Sequence, residues 1–174
     1  MEKAIYLDID LCVGCGACAV ACMDQNDIYP EKGQPGLRRI YRIEEGEFPD
    51  AQIRYIPAGC MHCEDSPCVV GCPTGAAIKD ERTGAVRVNK ELCIGCHSCA
   101  LACPFGVPRY DADEKMQKCH LCIERVEAEL EPACVRVCPM GALKFESANK
   151  VQGVKESKFV VNIVNAAHRA AARK

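Results

Sequence analysis

Tryptophan is absent from this chain of 174 residues, and only 5% of the residues are aromatic. Large side chains are what an ordinary domain buries to offset the entropy of ordering its backbone, so the apolar core must be small. Long hydrophobic runs are missing too. Cysteine groups, prolines or charges break every weakly polar stretch well short of the roughly 18 residues that a membrane span needs. The first residues, Met1-Glu-Lys-Ala-Ile-Tyr-Leu-Asp, show no basic n-region, apolar h-region or twin arginine, so the expectation is a cytoplasmic chain, exported only if a partner carries the signal. A net charge of -2 leaves no footprint for nucleic acid. No Gly-rich phosphate loop, nucleophile elbow or flavin fingerprint is present. What the chain has in abundance is cysteine, sixteen in four groups of four.

The third group, Cys93-Ile-Gly-Cys96-His-Ser-Cys99-Ala-Leu-Ala-Cys103-Pro104, organises the reading of the others. The first, Cys12-Val-Gly-Cys15-Gly-Ala-Cys18-Ala-Val-Ala-Cys22, repeats its spacing and most of its small residues. The second, Cys60-Met-His-Cys63 with Cys68 and Cys72-Pro73, resembles the fourth, Cys119-His-Leu-Cys122 with Cys134 and Cys138-Pro139. The order is therefore one, two, one-like, two-like. A proline after the last cysteine stops the short helix there and turns the chain outward.

Disulfides, zinc and iron–sulfur cubes can all use such thiols. Closely spaced cysteines rarely reach unstrained bridge geometry, and no export signal is present. Zinc needs only two separated C-x2-C knuckles and gains nothing from triples. The spacing C-x2-C-x2-C-x3-C-P is instead the bacterial iron–sulfur run, in which three thiolates hold one cube and the fourth reaches its neighbour. That logic gives a definite partition. Cys12, Cys15, Cys18 and Cys138 hold one [4Fe-4S] cluster, and Cys119, Cys122, Cys134 and Cys22 its neighbour. Cys60, Cys63, Cys68 and Cys103 hold the third, and Cys93, Cys96, Cys99 and Cys72 the fourth. Four [4Fe-4S] clusters, each with iron held by four thiolates, leave no open position for substrate, so the expected protein carries electrons and is not itself an enzyme. Loaded, it would be on the order of eight charges more acidic than the bare chain. His62, His97 and His120 sit among the ligating cysteines, where an N–H near sulfur would raise a cluster's potential. A small chain stapled by metal is expected to be largely unfolded without it.

Residues 3 to 10 alternate apolar and polar as a strand does, and Leu37–Ile43 with Gln52–Ile56 suggest a two-stranded ribbon that shields a cluster or touches a partner. Ala77-Ile-Lys and Ala85-Val-Arg-Val flank Asp80-Glu-Arg-Thr-Gly84, a hairpin signal. The expected fold class is α+β: two small bacterial-type two-cluster ferredoxin units with short strands, short helices and long loops. The inner unit (55–109) is inserted between the halves of the outer one (1–30 and 110–146), with Ile5–Ile9 pairing Ala142–Phe145. Residues 31–54 form the covering insert, and 147–174 a tail ending in a basic helix.

The stretches Cys-Met-His-Cys-Glu-Asp-Ser-Pro-Cys (60–68), Cys93 to Arg109, and Glu-Pro-Ala-Cys-Val-Arg-Val-Cys-Pro-Met-Gly-Ala-Leu (131–143) resemble the four-cluster ferredoxin subunit of molybdenum and tungsten bis-pterin oxidoreductases, the dimethyl sulfoxide reductase and formate dehydrogenase iron–sulfur family. The resemblance covers roughly residues 3 to 146. It implies a hetero-oligomer in which this chain wires a catalytic Mo/W-pterin subunit to a flavin or other redox subunit. All four cysteines of the third run are present, where some relatives replace one and hold a three-iron cluster. A free-standing polyferredoxin remains the alternative, and a zinc-bound scaffold the rival from another class.

Overall fold

The C-x2-C pair that opens each run turns on a residue in the left-handed region. The third position of that opening pair has φ +69 at Gly14, +46 at His62, +69 at Gly95 and +65 at Leu121. This conformation costs an ordinary L-residue about 1–2 kcal/mol, so its recurrence at four places, two without glycine, marks a constraint shared by the four loops. It folds the loop back on itself. His62 N lies 3.4 Å from Cys60 Sγ, and Leu121 N 3.5 Å from Cys119 Sγ.

The computed structural model describes residues 3–147 and Lys150. In chain order it contains β1 (Lys3–Leu7), α1 (Ala17–Gln25), β2 (Arg39–Glu45), β3 (Gln52–Ala58), α2 (Pro67–Val70), β4 (Ala77–Lys79), β5 (Val86–Val88), α3 (Ser98–Ala102), β6 (Arg109–Tyr110), β7 (Met116–Gln117), α4 (Ile123–Glu127), α5 (Ala133–Arg136) and β8 (Leu143–Ser147). The last two cysteines of each run are four residues apart on or just past a short helix, which lines their sulfurs along one side of it. In three runs the chain then turns through Cys-Pro-x-Gly: the N–H groups of Gly75, Gly106 and Gly141 donate to the carbonyls of Cys72, Cys103 and Cys138 at 3.2–3.3 Å. The first run has no proline there, and α1 runs on to Gln25. Asn26 Nδ2 then donates to Cys22 O at 2.6 Å.

The strands form four separate antiparallel pairs, β1–β8, β2–β3, β4–β5 and β6–β7. β1 and β8 match Ile5 with Phe145 and Leu7 with Leu143, which joins the two ends of the described chain. The strand expected over residues 3–10 stops at Leu7, because Asp8 N bonds Ala142 O at 2.7 Å and a 3-10 turn over Ile9–Leu11 delivers the chain to Cys12. The first strand of the ribbon lies two residues later than expected and the second is two residues longer, with Arg39 opposite Ala58 and Glu45 opposite Gln52. The pair β6–β7 was not expected from the sequence. Asp111 Oδ1 accepts the N–H groups of Asp113 and Lys115 and closes its turn. β6 and β7 lie across the expected boundary at residue 110, and Tyr110 and Met116 pack with Cys93 and Cys99. The tail reading for residues 147–174 falls, past Ser147, outside the described residues.

The apolar core is divided. Ala76, Ala77, Val86 and Met116 pack with Cys68, Cys93 and Cys99; Val135 and Leu143 with Cys18 and Cys134; Ile28 and Leu37 with Cys22. Cysteine is thus part of each of these centres. Among the described residues, no helix is long and apolar enough to cross a membrane.

A Cβ on Gly14 would lie 2.3 Å from Cδ1 of Tyr55, whereas at Gly16, with φ +78, it would meet open space. Both substitutions by alanine carry the backbone penalty, and only Gly14→Ala adds an overpacking cost of about 1–3 kcal/mol. Denaturant titration of the anaerobically prepared, metal-loaded protein is expected to give a lower midpoint for Gly14→Ala than for Gly16→Ala; equal midpoints would remove the contact with Tyr55 from the account.

Candidate metal centres

The four runs bring their sulfurs together around four places. Cys12, Cys15, Cys18 and Cys138 line a hollow walled by Ile40, Pro57 and Leu143. Cys60, Cys63, Cys68 and Cys103 line another, and Cys72, Cys93, Cys96 and Cys99 a third. The remaining four, Cys22, Cys119, Cys122 and Cys134, are all buried. Burial pushes the Cys22 thiol up to about 12, and the neighbouring Cys119, Cys134 and Cys122 add to the effect. In every group three thiols come from one run and the fourth is the last cysteine of another. We number these quartets one to four, beginning with that of Cys12, the buried quartet second, that of Cys60 third and that of Cys93 fourth.

The donor set is uniform. Each lined hollow presents four soft sulfurs and no carboxylate ligand, and the thiols ring a space. Among the described residues, no three Cys, His, Asp or Glu side chains close on one point as the ligands of a single ion would. Polar hydrogens approach several sulfurs: Met116 N lies 3.4 Å from Cys93 Sγ and the Tyr110 hydroxyl 3.2 Å from Cys99 Sγ. Such donors stabilise thiolate once metal has displaced the proton. The residues present therefore fit iron–sulfur cubes.

Electrostatics differ between the quartets. Burial raises the thiols of Cys18, Cys60, Cys68, Cys119 and Cys122. At Cys96 the hydrogen bonds of Ser98 hold the thiol below its ordinary value; at Cys72 burial pulls upward and the bonds of Ala77 and Thr74 outweigh it. Only Cys15, in the first quartet, and Cys96, in the fourth, are exposed. Between these ends the quartets adjoin in order. Cys18 and Cys138 pack with Cys134, Cys60 lies close enough to Cys119 for their thiolates to repel, and Cys68 shares a core with Cys93 and Cys99.

The three histidines singled out in the sequence serve the backbone and their neighbours. His62 Nδ1 accepts the Val86 N–H at 3.0 Å, so the ring proton sits on Nε2. Burial first, then the charges of Lys118, His120 and Arg38, lower its pKa to about 3, and it is neutral at ordinary pH. His120 Nδ1 accepts the Ile123 N–H, leaving Nε2 to donate to Asn26 Oδ1 at 2.5 Å. His97 stacks flat on Tyr110 at 3.7 Å and meets Glu114 at 2.9 Å. The sequence reading missed two buried cations, Arg38 and Lys118, and the hydroxyl of Tyr110. Lys118 does carry one signal, its place immediately before Cys119.

Two family matches cover this chain. A 4Fe-4S dicluster domain matches residues 51–148, more than half of the sequence, and a second 4Fe-4S dicluster domain matches residues 11–76. They overlap across the second run, as runs that share their thiols between clusters would. A sulfite dehydrogenase subunit of Allochromatium vinosum is 39% identical over 163 residues, covering 83% of this chain and 68% of that protein. The nitrate-inducible formate dehydrogenase iron-sulfur subunit of Escherichia coli is 37% identical over 173 residues, covering 90% and 58%. Protein NrfC of Escherichia coli is 42% identical over 140 residues, covering 79% and 62%. The chain thus spans between 58% and 68% of the length of these relatives. Two dicluster domains imply four [4Fe-4S] clusters, and the sixteen cysteines supply four thiolates to each. With its thiols gathered in fours and a dicluster domain over most of the described residues, the chain belongs to the 4Fe-4S dicluster ferredoxin family.

Proposed function

We propose that the chain is a non-catalytic subunit that relays single electrons through four [4Fe-4S] clusters between a molybdenum- or tungsten-pterin catalytic subunit and another redox subunit, such as a flavoprotein. The observation that carries this reading is the row of all-cysteine quartets, buried in the middle and exposed at Cys15 and Cys96. When bound, each cluster takes up and gives back one electron. The residues of this chain supply the rest. They hold the quartets in sequence, exclude water from the second, and aim N–H and O–H groups at the sulfurs. No quartet leaves a ligand position for a reactant, which favours transfer over catalysis. The names of the relatives, an iron-sulfur subunit of formate dehydrogenase and a subunit of sulfite dehydrogenase, support a place within a larger oxidoreductase.

The ligand sets in this proposal are the four quartets themselves. An inserted arrangement goes with them: β1–β8 and the packing of α1 on α5 tie the first and fourth runs together, while β4–β5 and the packing of α2 on α3 tie the second to the third. Single Cys→Ser variants test the sets. Cys12→Ser and Cys138→Ser should alter the paramagnetic signal of the same cluster, and Cys22→Ser that of the cluster altered by Cys119→Ser. A Cys138→Ser variant that groups with Cys119→Ser would break the assignment.

Metal removal has an expected outcome too. Because the apolar core is divided into small centres, three of the four built around cysteines, anaerobic chelation should abolish most of the far-ultraviolet circular dichroism, and reconstitution should restore it. Retention of the native spectrum after complete iron loss would contradict metal-coupled folding. As for the partner, the chain purified anaerobically from its native cells is expected to bring with it a subunit containing molybdenum or tungsten. A stable monomer that reduces several unrelated enzymes equally well would favour a diffusing carrier instead.

A further inference from the structure

Two buried cations stand between the thiol quartets. Arg38 is 6% exposed and Lys118 is 5% exposed. Arg38 Nη1 donates to Pro57 O at 2.7 Å. Lys118 Nζ donates to the carbonyl of Cys119 at 3.0 Å and also to that of Val86. Carbonyl oxygens satisfy donors without cancelling a charge, and a buried cation is retained only where an anion offsets it. Among the described residues, neither cation is ion-paired with a carboxylate. The anions within reach are the cysteine thiolates.

Their positions differ. Arg38 donates to the carbonyl of Pro57, which walls the hollow of the first quartet, and its chain neighbour Leu37 packs against Cys22 of the second. The cysteines that outweigh burial and raise its guanidinium, Cys134, Cys119, Cys18 and Cys22, belong to the same two quartets. Lys118 precedes Cys119 of the second quartet and donates to its carbonyl, and its side chain lines the hollow of the third quartet. Arg38 therefore lies between the first and second quartets, and Lys118 between the second and third. The second quartet alone adjoins both.

A cluster that accepts an electron becomes one charge more negative, so a nearby fixed cation favours the reduced form and raises the potential. The effect falls with distance, and burial protects it from screening by salt. Resting on the four-cluster reading above, we propose that Arg38 and Lys118 are positioning charges that raise the reduction potential of the second cluster above the other three. Arg38 also lifts the first and Lys118 the third. An electron delivered at either exposed end then settles at the buried junction before it moves on.

The test is electron-paramagnetic-resonance-monitored redox titration of the complete, anaerobically loaded protein, with dithionite as the electron donor. Wild type is first assayed for iron and sulfide. Fewer than four clusters would overturn the four-cluster reading and this inference with it. In fully loaded protein, Arg38→Gln and Lys118→Gln are each expected to lower two potentials, one of them shared by both variants and the highest in wild type. Arg38→Lys and Lys118→Arg should leave the potentials near those of wild type. Fully loaded glutamine variants whose potentials do not move, or that share no shifted cluster, would overturn the cation assignment and leave the electron-relay reading intact. Should a glutamine variant fail to hold its clusters, full loading of the matching charge-keeping variant supports a need for the charge at that place. Loss in both variants assigns the residue to packing and overturns the proposal.

Discussion

Sixteen thiolates gathered inside a small chain are the constraint on which this structure depends. Like charges repel, and buried thiols resist ionisation, as the position of Cys22 at about 12 shows. On the proposed reading, metal displaces the thiol protons and offsets the repulsion among the thiolates, and that is what makes the assembly favourable. That explains why so little else is needed. The four strand pairs do not join into one sheet, and the apolar residues form four separate centres, three of them with cysteines and one, around Ala85, Leu121 and Ile123, without. Loops and short helices place sulfurs, and the sulfurs in turn hold the loops.

The same constraint accounts for the repeats in the backbone. A left-handed residue at the third place of the C-x2-C that opens each run brings the chain round sharply enough for one loop to supply three ligands. Glycine meets this demand at Gly14 and Gly95, where a Cβ would strike Tyr55 or the Glu114 carbonyl. His62 and Leu121 meet it at a cost. His62 has its ring engaged by Val86, and Leu121 is among the most deeply buried side chains of the protein. Both are held by packing that the other two loops do not need.

Much of this was legible in the sequence, for a physical reason. Cluster ligation demands a residue type at fixed spacing, so the runs are conspicuous, and the alternation from Lys3 to Leu7 and the Asp80–Gly84 turn read directly as a strand and a hairpin. The pair β6–β7 escaped because two-residue strands carry no periodicity; a turn built on Asp111 makes it. Arg38 and Lys118 escaped for another reason. A basic residue in a sequence is ordinarily a solvated one, and only the fold shows that these two are enclosed beside thiolates.

The proposed relay requires that each quartet hold a cube and that all four lie near enough to exchange charge. Quantitative analysis of iron and acid-labile sulfide on anaerobically prepared protein, combined with a low-temperature spin count after dithionite reduction, tests this most directly. The account predicts about sixteen of each element per chain and magnetically coupled signals from neighbouring reduced clusters. Colourless protein containing zinc, without sulfide and without a paramagnetic signal, would contradict it.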